Sequence, residues 1–261
     1  MIKVVLGVFL LLGLGGALLL FRLQDFLIFP AKGVGYEFAP QQRDGIRVLT
    51  FQTRQGRQEA YYQGPSDPER LWILFAGNGC RSLDLEYLAQ GRSNLGVGFL
   101  FVDFPGYGRC QGTPTPQGIV ANGAKAFEAL HVELQRDIPV ENVGVFGFSL
   151  GGAAALMTAN ELGIRQAITV ATFTSMQDMA TLRAGVLGRL VRHRFSNREE
   201  LRRFAESGGK LTAFHGTADQ VVPYQMAKEL REEAPGAVEL LTLEGADHGS
   251  ILDDRRILMR L

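Results

Sequence analysis

Cysteine is scarce: Cys80 and Cys110 are the only two in 261 residues, which excludes a disulfide-dense scaffold and a cysteine-rich metal site. Histidine is scarce too, with four residues and none at metal-ligand spacing from another, so no metal or cofactor is implied. An excess of one charge is also missing. The 27 Lys and Arg balance the 27 Asp and Glu, leaving no global field to draw nucleic acid. No internal repeat or low-complexity tract follows the first 22 residues. What the chain has in quantity is apolar material, 46% of its residues, enough for the core of one large α/β domain.

That material is concentrated first at the N-terminus. Between Lys3 and Arg22 the run Val4 to Phe21 carries no charge. A helix of that length rises about 27 Å, close to the ~30 Å hydrocarbon core of a bilayer. Its Val, Leu and Phe side chains together favour insertion by about 4 to 8 kcal/mol, before its glycines are discounted. A cleaved signal peptide is the rival reading, with Gly15-Gly16-Ala17 as a small-residue cleavage site. Cleavage there would leave "LLLF" as an odd start for a soluble protein. The expectation is therefore a single-pass membrane anchor over residues 1–22, a connecting segment over 23–45 with Pro30 and Pro40, and a folded domain over 46–261. Lys3 before the run and Arg22 and Lys32 after it, offset by Asp25, bias the topology only weakly. The expected topology puts the domain on the non-cytoplasmic side.

Beyond residue 45, strand-like and helix-like stretches alternate. Ile46 to Thr53 and Arg57 to Gln63 read as two strands flanking the turn "RQG". Apolar runs at Leu71 to Gly77, Val97 to Val102, Val143 to Phe148, Gln166 to Ala171, Lys210 to His215 and Val238 to Leu243 predict further strands. Helical patterns at Ser82 to Ser93, Pro116 to Gln135, Leu150 to Leu162, Tyr224 to Glu233 and Ser250 to Arg260 separate or follow them. This order predicts an α/β fold: a mostly parallel, twisted sheet with helices on both faces. Chemistry then belongs in the loops beyond the carboxyl ends of the strands.

One of those loops is "GFSLGG", where Gly147-Phe148-Ser149-Leu150-Gly151 matches G-x-S-x-G between a strand and a helix. A serine hydroxyl needs a base, and the base needs a third group to orient it. In this strand-turn-helix context the order is Ser, acid, His. Asp219 in "HGTADQVVP" and His248 in "GADHG" follow later strands in that order. Asp247 is a poorer orienter, because adjacent side chains seldom face each other. His131 lies in a helical pattern, His193 in an arginine-rich segment, and His215 ends a strand, where it packs. The oxyanion donors expected are the backbone N–H of Leu150 and that of Asn78 in "FAGNGC". Gly77-Asn78-Gly79 also resembles the start of a dinucleotide loop, but Ser82 stands where its third glycine belongs.

From about Phe26 onward the chain resembles small α/β-hydrolases of the serine-aminopeptidase-like group, many of which carry an N-terminal membrane anchor. The resemblance rests on "DFPGYGRCQG", "GFSLGG", "TFTSMQDMA", "RFSN", "HGTADQVVP" and "GADHG". It implies the α/β-hydrolase fold, with Ser149, Asp219 and His248 catalytic and Asn78 and Leu150 in the oxyanion positions. Where such proteins often have His-Gly after the third strand, this chain has Ala76-Gly77, which puts the rigidity of that loop in question. Residues 173–208 stand where these hydrolases insert a cap, here short and rich in arginine. Its charges read as a solvated helical face or as a surface for anionic headgroups or an acidic substrate.

The reading that follows is a membrane-anchored serine hydrolase acting on a small-molecule or lipid-like acyl substrate, an ester, thioester or amide. The alternative is a membrane-tethered module that uses the same fold to bind or scaffold. Cys80 and Cys110 fall in the loops after adjacent strands, close enough for a disulfide to be one of two outcomes and two free thiols the other.

Overall fold

Six-residue runs with no polar side chain, such as Val97–Val102 and Val143–Phe148, can satisfy both faces only inside a covered sheet. The computed structural model, which describes residues 16, 23–37, 39, 40 and 45–261, puts them there. Eight strands form one sheet: β1 (Ile46–Thr53), β2 (Gly56–Gln63), β3 (Arg70–Phe75), β4 (Val97–Val102), β5 (Val143–Phe148), β6 (Gln166–Val170), β7 (Lys210–Gly216) and β8 (Val238–Leu243). Their order is β1-β2-β4-β3-β5-β6-β7-β8. The β1–β2 and β2–β4 pairs are antiparallel, and every later pair is parallel.

Alternation along the strands splits the core in two. Leu71, Ile73 and Phe75 of β3 enter one layer, with Leu100 and Val102 of β4 and Val143 and Val145 of β5. Trp72 and Leu74, Phe99 and Phe101, and Phe146 and Phe148 enter the other. The first layer is covered by α2 (Pro116–Leu134), α3 (Leu150–Leu162), α5 (Asn197–Glu206) and α6 (Tyr224–Glu233). The second is covered by the 3-10 run Ser82–Ala89 and by α7 (Arg255–Arg260). Each fully buried Leu, Ile or Phe in these layers stabilises by about 1.5–3 kcal/mol.

The predicted strands match, and two of the helices differ. The stretch predicted as a helix over 82–93 is a 3-10 run ending at Ala89. Its inward stripe, Ser82, Leu85 and Leu88, repeats every three residues, the period a 3-10 helix presents on one side. The stretch 250–260 is broken into a 3-10 turn, Ser250–Asp253, and α7, because the Asp254 carboxylate accepts the Arg256 N–H at 2.8 Å and caps the new start. The predicted anchor over 4–21 lies outside the described residues, apart from Gly16. Among the described residues no helix is long and apolar enough to cross a membrane.

Residues 23–37 lie against the domain. The helical residues 23–28, here α1, meet the cap, which comprises α4 (Met176–Ala184), the 3-10 segment Gly185–Leu190 and α5. Gln24 donates to the Leu190 carbonyl at 3.0 Å, and Asp25 bonds His193 at 2.6 Å and pairs with Arg192. Phe29, 1% exposed, sets its ring edge-on to His193 at 5.1 Å. Farther on, the Tyr36 hydroxyl donates to Asp103 Oδ2 at 2.8 Å, while Asp103 Oδ1 accepts the Ser82 N–H at 2.6 Å. Burial pushes Asp103 up to about 6 despite these donors.

β3 and β4 are neighbours, as the disulfide required, yet both cysteines are free thiols. Cys110 turns to β2: its Sγ donates to the Glu59 carbonyl at 3.3 Å and accepts the Glu59 N–H at 3.4 Å. Cys80 packs instead on the second core layer. Burial, and then the nearby Asp103, push the Cys110 thiol up to about 12.

Phe29→Ala should lower stability by about 3–5 kcal/mol, as buried Phe truncations do. Phe26→Ala, at a site 73% exposed, should leave the urea midpoint nearly unchanged. Equal midpoints for the two variants would show that residue 29 does not belong to the core.

Candidate active site

The β5–α3 turn is tight enough to need glycine on both sides of Ser149. A Cβ on Gly147 would stand 2.1 Å from the Gly151 carbonyl oxygen, and one on Gly151 would stand 2.2 Å from that of Phe75. Between them Ser149 sits at φ 54° and ψ −116°, a conformation that costs about 1–3 kcal/mol for a residue with a side chain. It is held from several directions. The Ser149 N–H donates to the Val170 carbonyl at 2.8 Å, and the Thr172 hydroxyl donates to the Ser149 carbonyl at 2.9 Å. Asn197, fully buried at the start of α5, donates in turn to Thr172 Oγ1 at 3.0 Å and to the Phe173 carbonyl at 2.7 Å. Leu150 opens α3, so its N–H lies at the positive end of that helix.

Asp219 and His248 come together from the loops after β7 and β8. His248 Nδ1 lies 2.7 Å from Asp219 Oδ2. An ionised carboxylate only accepts, so Nδ1 carries the proton and Nε2 keeps its lone pair. The other oxygen, Oδ1, accepts the N–H groups of Val221 and Val222, both at 2.8 Å. The His248 ring lies against Phe148, centroids 5.0 Å apart, next to the serine. Among the described residues Ser149 Oγ makes no hydrogen bond to His248; such contacts often tighten only when substrate is bound.

His215 has a larger part than its position at a strand end predicts. It is 1% exposed, and its Nε2 lies 2.9 Å from the Val222 carbonyl and 3.4 Å from Asp219 Oδ2. The carbonyl can only accept, so Nε2–H is the donor and the carboxylate receives a second imidazole. Burial alone would raise Asp219. The hydrogen bonds from His215, His248 and Val222 outweigh it and hold the carboxyl well below the usual range. Asp247 is spent on its own turn, accepting the Gly249 and Ser250 N–H groups at 3.0 and 2.8 Å. His131 accepts the Ile138 N–H at 3.3 Å, far from the site in sequence and in role.

Asn78 lines the same cavity as Ser149 and Leu150. Its carbonyl accepts the Tyr107 hydroxyl at 2.6 Å, and its side chain donates to the Ile28 carbonyl at 3.2 Å. These bonds brace the loop after β3, where the chain has Ala76-Gly77. The cavity holds about 380 Å³ and is walled mainly by apolar side chains, among them Leu27, Ile28, Met176, Met179 and Leu187. Larger cavities of about 410 and 560 Å³ lie around Gln166 and Lys210, where β6 and β7 begin. That is the wrong end of a parallel sheet for chemistry. Thr172, Asn197 and His215 thus join the site from "TFTSMQDMA", "RFSN" and "HGTADQVVP"; the motifs marked the segments, while the roles needed the contacts.

Because the folded state favours ionised Asp219, its stabilising effect is complete above the unfolded carboxylate pKa of about 3.9 and fades as the pH falls below it. Asp219→Asn should therefore flatten part of the stability loss between about pH 4 and pH 2, read from urea midpoints at each pH. An acid slope identical to that of the parent chain would rule out the low-titrating carboxylate.

No family model matches the chain. It is similar to the uncharacterized protein YfhR of Escherichia coli O157:H7, 28% identical over 200 residues, which span 74% of this chain and 68% of that protein. It is 23% identical over 222 residues to the alpha/beta hydrolase domain-containing protein 17C of Xenopus tropicalis, spanning 83% and 68% of the two chains. Among solved structures, an alpha-beta hydrolase from Vibrio vulnificus superposes with a TM-score of 0.72 at 17% identity, over 93% of this chain and 94% of the other. Parallel strands that end in a serine turn, an aspartate loop and a histidine loop, on a sheet that superposes so completely, give this chain the α/β-hydrolase fold.

Proposed function

We propose that the chain is a membrane-anchored serine hydrolase that cleaves an ester, thioester or amide through an acyl-enzyme. The observation that carries this reading is the 2.7 Å His248–Asp219 hydrogen bond beside a serine at positive φ. In this mechanism His248 Nε2 takes the Ser149 hydroxyl proton as Oγ attacks the acyl carbon. The developing oxyanion is received by the backbone N–H groups of Asn78 and Leu150. The imidazolium, stabilised by Asp219, then gives the proton to the leaving oxygen, sulfur or nitrogen. A water molecule, deprotonated by the same histidine, attacks the acyl-enzyme and returns the serine. Residues 46–261 supply this chemistry, residues 173–208 cap it, and residues 1–22 supply the anchor.

The mostly apolar cavity beside Ser149 suits the acyl part of a substrate. Nothing in the site calls for a cofactor, because the hydroxyl, the imidazole and water carry every proton and bond.

Incubation with a fluorophosphonate should add one phosphonyl group to the intact protein, and Ser149→Ala should abolish the addition. Without labelling, the domain would be a binding or scaffold module. Ser149→Ala and His248→Ala should each lower turnover by several orders of magnitude, and the double variant by little more, because the residues act as a unit. Asp219→Asn should cost somewhat less. Removal of residues 1–21 should leave a chain that stays in the aqueous phase and still hydrolyses small soluble esters. Failure of that chain to fold would place the apolar run inside the domain.

A further inference from the structure

Large apolar side chains left exposed are usually scattered over a surface. Here they gather around the mouth of the cavity. Of the fourteen among the described residues, eight belong to α1, α4, the 3-10 segment Gly185–Leu190 and Val221. Phe26 is 73% exposed, Val186 77% and Leu27 62%. Leu27, Leu187, Leu190 and Val221 are exposed and also line the cavity beside Ser149. α4 fully buries none of its nine side chains; Met176 and Met179 pack on the core from one side, and the other side is left to solvent.

The net charge on this face is positive: its acidic residues, Asp25 of α1 and Asp178 of α4, each pair with an arginine. From Met179 to Arg198 the chain holds five arginines and no Asp or Glu. Arg198 is taken up by Glu229 and Glu233, and Arg192 pairs with Asp25. Arg183, Arg189 and Arg194 stand exposed, and among the described residues Arg183 donates only to the carbonyls of Gln220 and Val221, which leave its charge uncompensated. Apolar side chains ringed by arginine match the boundary between acyl chains and anionic headgroups. The uncharged run Val4 to Phe21 ends directly before α1, one wall of this same face.

We propose that the face formed by α1, α4 and the 3-10 segment Gly185–Leu190 docks on an anionic lipid bilayer, with the cavity beside Ser149 opening into the headgroup layer. Substrate then enters along its acyl part, without leaving the bilayer for water. The proposal rests on the anchored-hydrolase reading for its consequence, but its test reads depth rather than turnover. An inert site with a buried face, or an active site with a dry one, would therefore be told apart.

The full chain carries one tryptophan, Trp72, only 1% exposed, so it supplies a steady background. Val186→Trp puts an indole on the proposed face, and Val132→Trp puts one on α2, at a position 79% exposed. Each variant is reconstituted in vesicles of phosphatidylglycerol and phosphatidylcholine brominated on its acyl chains. Fluorescence of the Val186→Trp chain should be quenched several-fold more than that of the Val132→Trp chain, which should match the parent. Adding Arg183→Gln, Arg189→Gln and Arg194→Gln to Val186→Trp should lower the quenching, as should high salt. Equal quenching of the two tryptophan variants, or none in either, would overturn the proposal. A blue shift at 186 without quenching, with doubled mass, would assign the face to a second copy of the chain and overturn it equally.

Discussion

Ser149 holds a backbone conformation that an ordinary residue avoids at about 1–3 kcal/mol, and four elements meet at it to offset that cost. β5 delivers the chain and β6 receives its N–H through Val170. α3 comes close enough to β3 only because Gly151 has no side chain to strike the Phe75 and Ala76 carbonyls. Thr172 takes the serine carbonyl from one side, and Asn197 of the cap holds Thr172. A Cβ on Gly152 would lie 2.4 Å from that same threonine hydroxyl, so the glycine beyond the motif is fixed by the brace rather than by the serine. The cap is thereby part of the turn's support as well as a cover.

The acid arm is organised around a single carboxylate. Two backbone donors hold one oxygen of Asp219 and two imidazoles share the other. The imidazoles differ in exposure, with His215 buried and His248 at 18%. His215 is fixed between Val222 and Asp219 and acts as a standing donor. The His248 ring lies against Phe148, next to the serine, with Nε2 left free of Asp219. A carboxylate with four donors stays ionised and immobile, and that makes it a dependable orienter.

The sheet was legible because its parallel strands, β3 to β8, stand where short apolar runs are, while β1 and β2 show as strands either side of a tight turn. The placement of Ser149, Asp219 and His248 in loops after β5, β7 and β8 was legible because those loops are set by the strands before them. Asn78 and Leu150, expected from the same logic, line one cavity with Ser149. The helices at 82 and 250 were less legible: a 3-10 stripe repeats every three residues, too near the 3.6 period to separate over eight positions. The arginines of the cap read as one population, while the structure sorts them by partner. Those of α5 meet Glu229, Glu233 and Glu200, and those from 183 to 194 largely face outward. Asn197 could not be assigned from sequence because its partners, Thr172 and Phe173, lie in another loop, and His215, four residues before Asp219, reads equally well as a packed strand end. Of the two outcomes left open for the cysteines, the free thiols hold: neighbouring strands bring two loops near, but Cys110 sends its sulfur to the backbone of β2.

α1 walls the cavity through Leu27 and Ile28, and the uncharged run ends at Phe21. Between the two lies a stretch that advances about 9 Å as helix and less than about 25 Å when fully drawn out. For a chain held by that run, the working radius of the serine is set by this short leash. Targets diffusing in the plane of the lipid meet the hydroxyl in a two-dimensional search, while a scissile bond carried high on a bulky extramembrane body passes above it. Selectivity would then be partly a matter of altitude, decided before any side chain in the cavity has touched the substrate.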